Sequence, residues 1–406
     1  MLLRMLELEM KNKFNGERLK EALQFRSLKM SELSVETDIS RQSLSLYANG
    51  ENNPPYENVL KIARVLDFPY DYFMTEDSCT AVTDNTYFRS QATATKKSRK
   101  AQIIRLEYVA KMYEVLLNYV DFPVRSFPIV SELNIANDPV RLETREGLME
   151  VEAIATQARK QWKLGKGPID NMQYELESHG IIITGFSNVD SKIDAFSQRI
   201  RIADNSGIFI VALGLGEKPK ERLRFDMAHE FGHILMHAWG ESNEEIDKEE
   251  FNLREKQANI FAGAFLLPAE SFGKDVTPYA TNIEFYRSLK KKWGVSMQAM
   301  MYRARQLEII TANQFQYMMR QMSKRGQRMH EPGDVPGKLN STIFQGAIDL
   351  LIDGEYKTVD QIKDAFAQNG IILHQKDMES LMGLKNGTLN SERKVIQFLK
   401  VREESK

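Results

Sequence analysis

The chain has 406 residues and a formal net charge of −1, from 55 Lys or Arg against 56 Asp or Glu, which argues against general polyanion binding. A hydrophobic content of 42% excludes wholesale disorder, and the length predicts several domains at roughly 100–200 residues each. The single cysteine, Cys79, favours a reducing cytoplasmic compartment, and no apolar run approaches the ~20 residues of a membrane span. We therefore expect a multidomain cytoplasmic protein, mainly α with a small β-sheet (α+β).

Residues 1–77 are predicted to form a first domain of five short helices. Ser40 is placed to cap the helix RQSLSLYAN, which follows a tight turn at Asp38 and Ile39 and ends at Gly50. The apolar residues predicted to fill its small core are Leu19, Leu23, Leu33, Ile39, Leu44, Leu60, Ile62, Ala63 and Leu66.

This helical pattern resembles the Xre, Cro and lambda-repressor type of helix-turn-helix. The resemblance implies that the helix RQSLSLYAN enters the DNA major groove, where its candidate base contacts are Arg41, Gln42, Ser43 and Ser45. However, residues 1–77 hold 10 Lys or Arg and 13 Asp or Glu, and the resulting charge of −3 opposes attraction to phosphate. Dimerisation or protein docking through this module is the open alternative. A homodimer is the default expectation, because such modules bind two-fold DNA sites.

Residues 78–144 are predicted to be a linker and a connecting helix. The segment 78–100 is polar, rich in Thr and Ser, and ends in the basic cluster Lys96, Lys97, Arg99 and Lys100. Apolar residues at helical spacing follow over 101–120. The next block, 145–330, mixes helices with strands predicted at 181–186 and 207–213. A Pro/Gly-rich linker at 331–340 then separates a small helical C-terminal region, 341–406.

The stretch RFDMAHEFGHILMH, residues 224–237, contains His229 and His233 four residues apart, with Glu230 following the first histidine. On a helix, both imidazoles would face one side and could share a zinc ion. Glu230 would lie on a neighbouring face, beside the metal. A general base must occupy that position to take a proton from a water molecule that the metal activates.

A hydrolytic zinc site needs a third protein ligand, and two residues compete for this role. His237 would lie about 12 Å from His229 along a straight helix, so it could bind the same ion only if the helix broke. Glu255 could reach the metal from a second predicted helix if the two helices pack. That helix contains small residues that would permit a close approach, namely Ala258, Ala262, Gly263 and Ala264. Glu255 is preferred, and His237 is interpreted as a packing residue or as an outer partner that contacts a ligand, although Glu255 could also be a solvated charge.

Five segments together resemble the ImmA/IrrE family of zinc metallopeptidases over about residues 145–325. They are GPIDN (167–171), VDSKIDAFS (189–197), RFDMAHEFGHILMH (224–237), EKQANIFAGAFLLP (255–268) and WGVSMQAMMYRARQLEII (293–310). The resemblance implies a zincin-like fold, with Glu230 as the catalytic glutamate. It implies His229, His233 and Glu255 as the ligands of Zn²⁺. It also implies a protein substrate, typically a helix-turn-helix repressor, in a stress, mobile-element or phage-related response.

Three functions compete at this point. The leading hypothesis is a regulatory zinc endopeptidase that cuts a repressor, or itself within residues 78–100. The second is a DNA-binding transcription regulator whose zinc fold acts as a sensor or scaffold without turnover. The third is a toxin–antitoxin or phage-defence component. Under the first hypothesis, a substrate peptide could pair with the predicted strands near residues 195–197 or 207–213, provided that one of them is a sheet edge.

Overall fold

The computed structural model describes residues 13–75, 82–88, 96–130, 138–186, 195–202, 207–216, 218–237, 247–339 and 341–391. Cys79, on which the expected compartment partly depends, lies outside these residues. Within them, sixteen α-helices surround one four-stranded sheet, which confirms the predicted mainly α fold with a small sheet. No helix in the described ranges is long and apolar enough to cross a membrane.

The N-terminal module is built from four α-helices and a closing 3-10 helix. The helices are α1 Gly16–Phe25, α2 Met30–Thr37, α3 Arg41–Ala48 and α4 Tyr56–Leu66, followed by the 3-10 helix Tyr70–Met74. Ser40 caps α3 as predicted, because its hydroxyl accepts a hydrogen bond from the backbone N–H of Ser43. The predicted core residues are buried, with one exception. Leu60 is 40% exposed, because the neighbouring Val59 takes the buried position of α4 next to the predicted core residue Ile62.

The sheet contains strands β1 Val82–Phe88, β2 Ile181–Phe186, β3 Ala195–Arg201 and β4 Gly207–Gly214, in the order β1-β3-β4-β2. Strand β2 runs parallel to β4, whereas β3 runs antiparallel to both of its neighbours. The composition-based prediction of a linker over residues 78–100 is therefore wrong for 82–88. The basic cluster is not linker either, because it opens helix α5, Lys96–Leu117.

One face of the sheet shares a buried apolar cluster with eight of the helices that the structure describes. These are α6 Arg145–Gln161, α7 Met172–Ser178, α8 Lys220–Met236, α9 Lys248–Leu266, α10 Ala269–Val276, α11 Ile283–Trp293, α12 Met297–Gln306 and α13 Ala312–Lys324, with short 3-10 helices at Arg141–Glu143 and Thr277–Tyr279. Val211 and Leu213 of β4 share a buried apolar cluster with Phe231 of α8 and Phe261 of α9. Burial of this face fixes α8 against the sheet.

The opposite face of the sheet packs on α5 and on the C-terminal helix α16, Gln375–Met382. It shares a buried apolar cluster with the helix-turn-helix module and with α14 Thr342–Asp353 and α15 Val359–Gln368. Arg26 of the first module forms an ion pair of 2.6 Å with Asp377 in α16. Thr184 of β2 donates a hydrogen bond of 2.6 Å to the carbonyl of Leu381. The C-terminal region thus bridges the N-terminal module and the sheet.

Candidate metal centre

Helix α8 carries His229, Glu230 and His233 and packs closely against α9 at Gly232. A Cβ atom added to Gly232 would lie 2.9 Å from Cδ1 of Phe261 and 3.4 Å from Cα of Ala258. A larger residue at Gly232 would therefore push the helices apart. The close approach matters because Glu255 must reach across from α9 to the two histidines.

The three predicted ligands meet at one point. The Nε2 atoms of His229 and His233 lie 3.0 Å apart, and the Glu255 carboxylate oxygens lie 3.5 and 3.2 Å from them, respectively. A tetrahedral zinc ion with ligands at 2.0–2.2 Å places neighbouring ligand atoms roughly 3.3–3.5 Å from each other. Two imidazole nitrogens and one carboxylate oxygen are also donors that zinc prefers. The residues present therefore fit a zinc ion, and their role as its ligands remains a prediction.

His237, the rejected alternative ligand, lies behind His233. It follows the last residue of α8, and its Nδ1 is 2.9 Å from Nδ1 of His233. Its Nε2 is 2.9 Å from Oε1 of Gln257. Burial, aided by the neighbouring His233, holds the pKa of His237 well below its usual value, so the ring is neutral. A neutral His237 can accept a hydrogen bond from His233 Nδ1–H and donate one to Gln257, which leaves Nε2 of His233 for a metal.

His229 also has a polar partner at its Nδ1 atom, on the side of the ring that faces away from His233. Oδ1 of Asn259 lies 3.2 Å from Nδ1 of His229, and the Asn259 amide donates to the backbone carbonyl of Glu255. Each predicted ligand ring thus has its outward nitrogen in contact with a polar partner. Such partners orient ligand rings and fix which nitrogen faces the metal.

The charge state of Glu255 also suits a ligand. Burial alone would raise the pKa of this carboxyl group, but its hydrogen bonds to His229 and His233 outweigh that penalty. The pKa of Glu255 is therefore lowered below its usual range, and the side chain is ionised at neutral pH. An ionised carboxylate is the form that binds a cation.

Glu230 points to the sheet rather than to α9. It is 1% exposed, and its Oε2 accepts a hydrogen bond of 2.7 Å from the hydroxyl of Ser197 in β3. Sequence reasoning gave Ser197 a place in a possible substrate-binding strand but no side-chain role. It gave no role to Gln257 or Asn259, because isolated polar residues carry no diagnostic spacing. For Ser197 the sequence did offer a signal, because this residue ends VDSKIDAFS (189–197), one of the segments that resemble the family.

The predicted DNA contacts differ from the candidate metal ligands in their exposure to solvent. Arg41, Gln42 and Ser45 are exposed along α3, whereas Ser43 is half-buried with its hydroxyl 2.9 Å from that of Ser40. The structure therefore presents an accessible polar helix face. The role of these side chains in DNA binding remains a prediction.

Comparison with known families gives two matches. Residues 177–305 match a peptidase family model described as the IrrE N-terminal-like domain, and residues 16–77 match a model described as a helix-turn-helix domain. No curated protein matches the chain. The two matches thus describe a helix-turn-helix protein that carries a peptidase domain. The chain contains an IrrE N-terminal-like domain behind an N-terminal helix-turn-helix domain, as its sequence predicted.

Proposed function

We propose that this protein is a regulatory zinc-dependent endopeptidase coupled to a DNA-binding module. The observation that carries the proposal is the meeting of His229, His233 and Glu255 next to a buried Glu230. Burying an acidic side chain costs free energy, so a scaffold without turnover would gain nothing from keeping Glu230 at this position. The match to a peptidase family model supports the same conclusion.

A zinc ion held by His229, His233 and Glu255 would supply Lewis-acid polarisation of a peptide carbonyl and activation of water. Glu230 would accept the proton of the attacking water and pass it to the leaving amine. The hydrogen bond from Ser197 fixes the orientation of the Glu230 carboxylate during both transfers. In this proposal the ion supplies the Lewis acid, Glu230 moves the proton, and Ser197 holds the Glu230 carboxylate.

For the N-terminal module, we propose DNA binding through α3 and a homodimer on a two-fold site. The substrate that we infer is a helix-turn-helix repressor cleaved in a stress, mobile-element or phage-related response. The match to a helix-turn-helix model over residues 16–77 supports the DNA-binding part, and the peptidase match supports a protein substrate.

The variant Glu230→Gln tests the proposal, because it removes the base and keeps the size of the side chain. We expect zinc content to stay unchanged while cleavage falls by about 10²–10⁴-fold. The measurement compares cleaved proteins in cells expressing wild type or variant, and zinc content by metal analysis of the purified chains. Glu249→Gln, an exposed change on α9, is the matched control. Full cleavage by Glu230→Gln would contradict the proposed mechanism.

A further inference from the structure

Strand β1 joins the sheet from outside the peptidase domain. It pairs antiparallel with β3, from Val82 opposite Arg201 to Phe88 opposite Phe196, with a register shift between Thr83 and Asn85. The range that matches the peptidase family model, residues 177–305, contains β2, β3 and β4 but not β1. Without β1, strand β3 would be the edge of that domain's sheet, because β4 lies on its other side.

The edge that β1 covers belongs to the strand that contacts the proposed base. Ser197 of β3 donates its hydrogen bond to Glu230 and lies opposite Tyr87 in the register of β1. Neighbouring strands in a sheet lie about 4.8 Å apart. An extended peptide paired with β3 would therefore pass Glu230 at the place where the backbone of β1 now runs.

Peptidases must present an extended backbone to their catalytic groups, and an exposed strand edge does this by offering unpaired N–H and C=O groups. We propose that the edge of β3 is the docking site for an extended substrate peptide, and that residues 82–88 are its intramolecular occupant. This inference rests on the proposed peptidase function. Cleavage of another protein then requires that β1 first leave the edge.

The position of β1 between two packed elements makes it a strong competitor. The 3-10 helix Tyr70–Met74 precedes it, and α5 follows it, and both contribute to the same buried apolar cluster. A tethered segment meets its site at an effective concentration on the order of millimolar, so a free peptide of similar intrinsic affinity competes poorly. The intact chain is thus held in a low-activity state.

A binding experiment tests the occupancy without needing catalysis. In a zinc-loaded Glu230→Gln background, residues 82–88 are replaced by seven glycine and serine residues. The labelled peptide VTDNTYF should bind this variant at least tenfold more tightly than the chain with intact β1, as read by fluorescence anisotropy. A control peptide with proline in place of the adjacent Thr86 and Tyr87 residues should bind neither chain, because amides of successive residues point to opposite sides of a strand and one of the two must face β3. Equal binding to both chains, or binding to neither, would overturn the proposal.

The chain with a glycine and serine segment at residues 82–88 could misfold, so a single substitution in β1 provides a second test. Thr86→Pro should weaken the β1–β3 pairing, whereas Thr86→Val keeps a residue that favours strands. Hydrogen exchange at residues 195–201 should accelerate at least tenfold in Thr86→Pro and stay at the wild-type rate in Thr86→Val. Unchanged exchange in both would contradict the occupancy of this edge.

Catalytic measurements then separate this inference from the proposed function. If zinc-loaded chains cleave added proteins, Thr86→Pro should do so at least tenfold faster than Thr86→Val. If neither chain cleaves any added protein, the proposed function fails. The peptide-binding result still decides whether residues 82–88 occupy a peptide-binding site on the edge of β3. A cut within residues 82–88 of the wild type, seen as a change of intact mass, would show a substrate rather than a lasting occupant and would overturn the proposal.

Discussion

The candidate metal centre and helix α3, the proposed DNA-binding helix, place polar side chains in opposite environments. His229, Glu230 and His233 are at most 2% exposed. Their partners are Asn259 for His229, Ser197 for Glu230 and His237 for His233. In contrast, the predicted DNA contacts on α3 are mostly exposed. Buried polar groups are costly unless they are satisfied, so their presence indicates a specific chemical task. Exposed polar residues carry no such cost, and they specify function far less tightly.

The largest effect that we expect from this comparison is at Glu255. In Glu255→Ala, zinc affinity should fall more than 100-fold, because losing a ligand costs more than losing one of the outer partners that orient ligands. Competition with a chromophoric chelator measures this change. Glu249→Ala removes an exposed carboxylate from the same helix and should leave zinc affinity at the wild-type value. Wild-type affinity in Glu255→Ala would show that the third ligand lies elsewhere.

A smaller effect is expected at Asn259, which contacts His229 from behind. Asn259→Leu removes the acceptor for the ring nitrogen and should lower zinc affinity by about 10–100-fold. Asn259→Asp keeps an oxygen at the same place and should restore most of the affinity. The same chelator competition reads both variants, and the melting temperature of the zinc-free chains checks the fold. Equal losses in the two variants would mean that Asn259 acts only through packing.

The smallest effect is expected for DNA affinity, at the exposed Gln42 of α3. Gln42→Ala should weaken binding to a DNA site, selected from random sequence by the wild type, by on the order of 1–3 kcal/mol. Zinc affinity should not change. Gln368→Ala, an exposed glutamine in α15, is the matched control. If the wild type selects no DNA site, the module serves dimerisation or protein docking instead.

The sequence predicted those parts of the fold that depend on local patterns. The cap at Ser40 and the strands β2 and β4 follow from residue type and spacing. The approach of Glu255 to His229 and His233 was preferred but left open by spacing, and the family resemblance implied it. The prediction for Leu60 failed because a shift of one residue in helix phase exchanges a core position for an exposed one.

Strand β1 could not be predicted for a different reason. Val82, Thr86, Tyr87 and Phe88 favour strands, but the Asp84-Asn85 pair between them is typical of turns. The structure accommodates that pair at a register shift in the pairing with β3, as β-bulges do. Only the partner strand, more than 100 residues away in the sequence, reveals the segment as part of the sheet. The partners of the metal centre are non-local in the same sense, since Ser197 reaches Glu230 from another element.

The most direct test of the account is anomalous diffraction at the zinc edge from crystals grown with zinc. The account predicts one strong peak within about 2.0–2.2 Å of Nε2 of His229, Nε2 of His233 and a carboxylate oxygen of Glu255. A peak bound to other residues, or zinc-treated crystals in which Glu255 turns away from the two histidines, would contradict it.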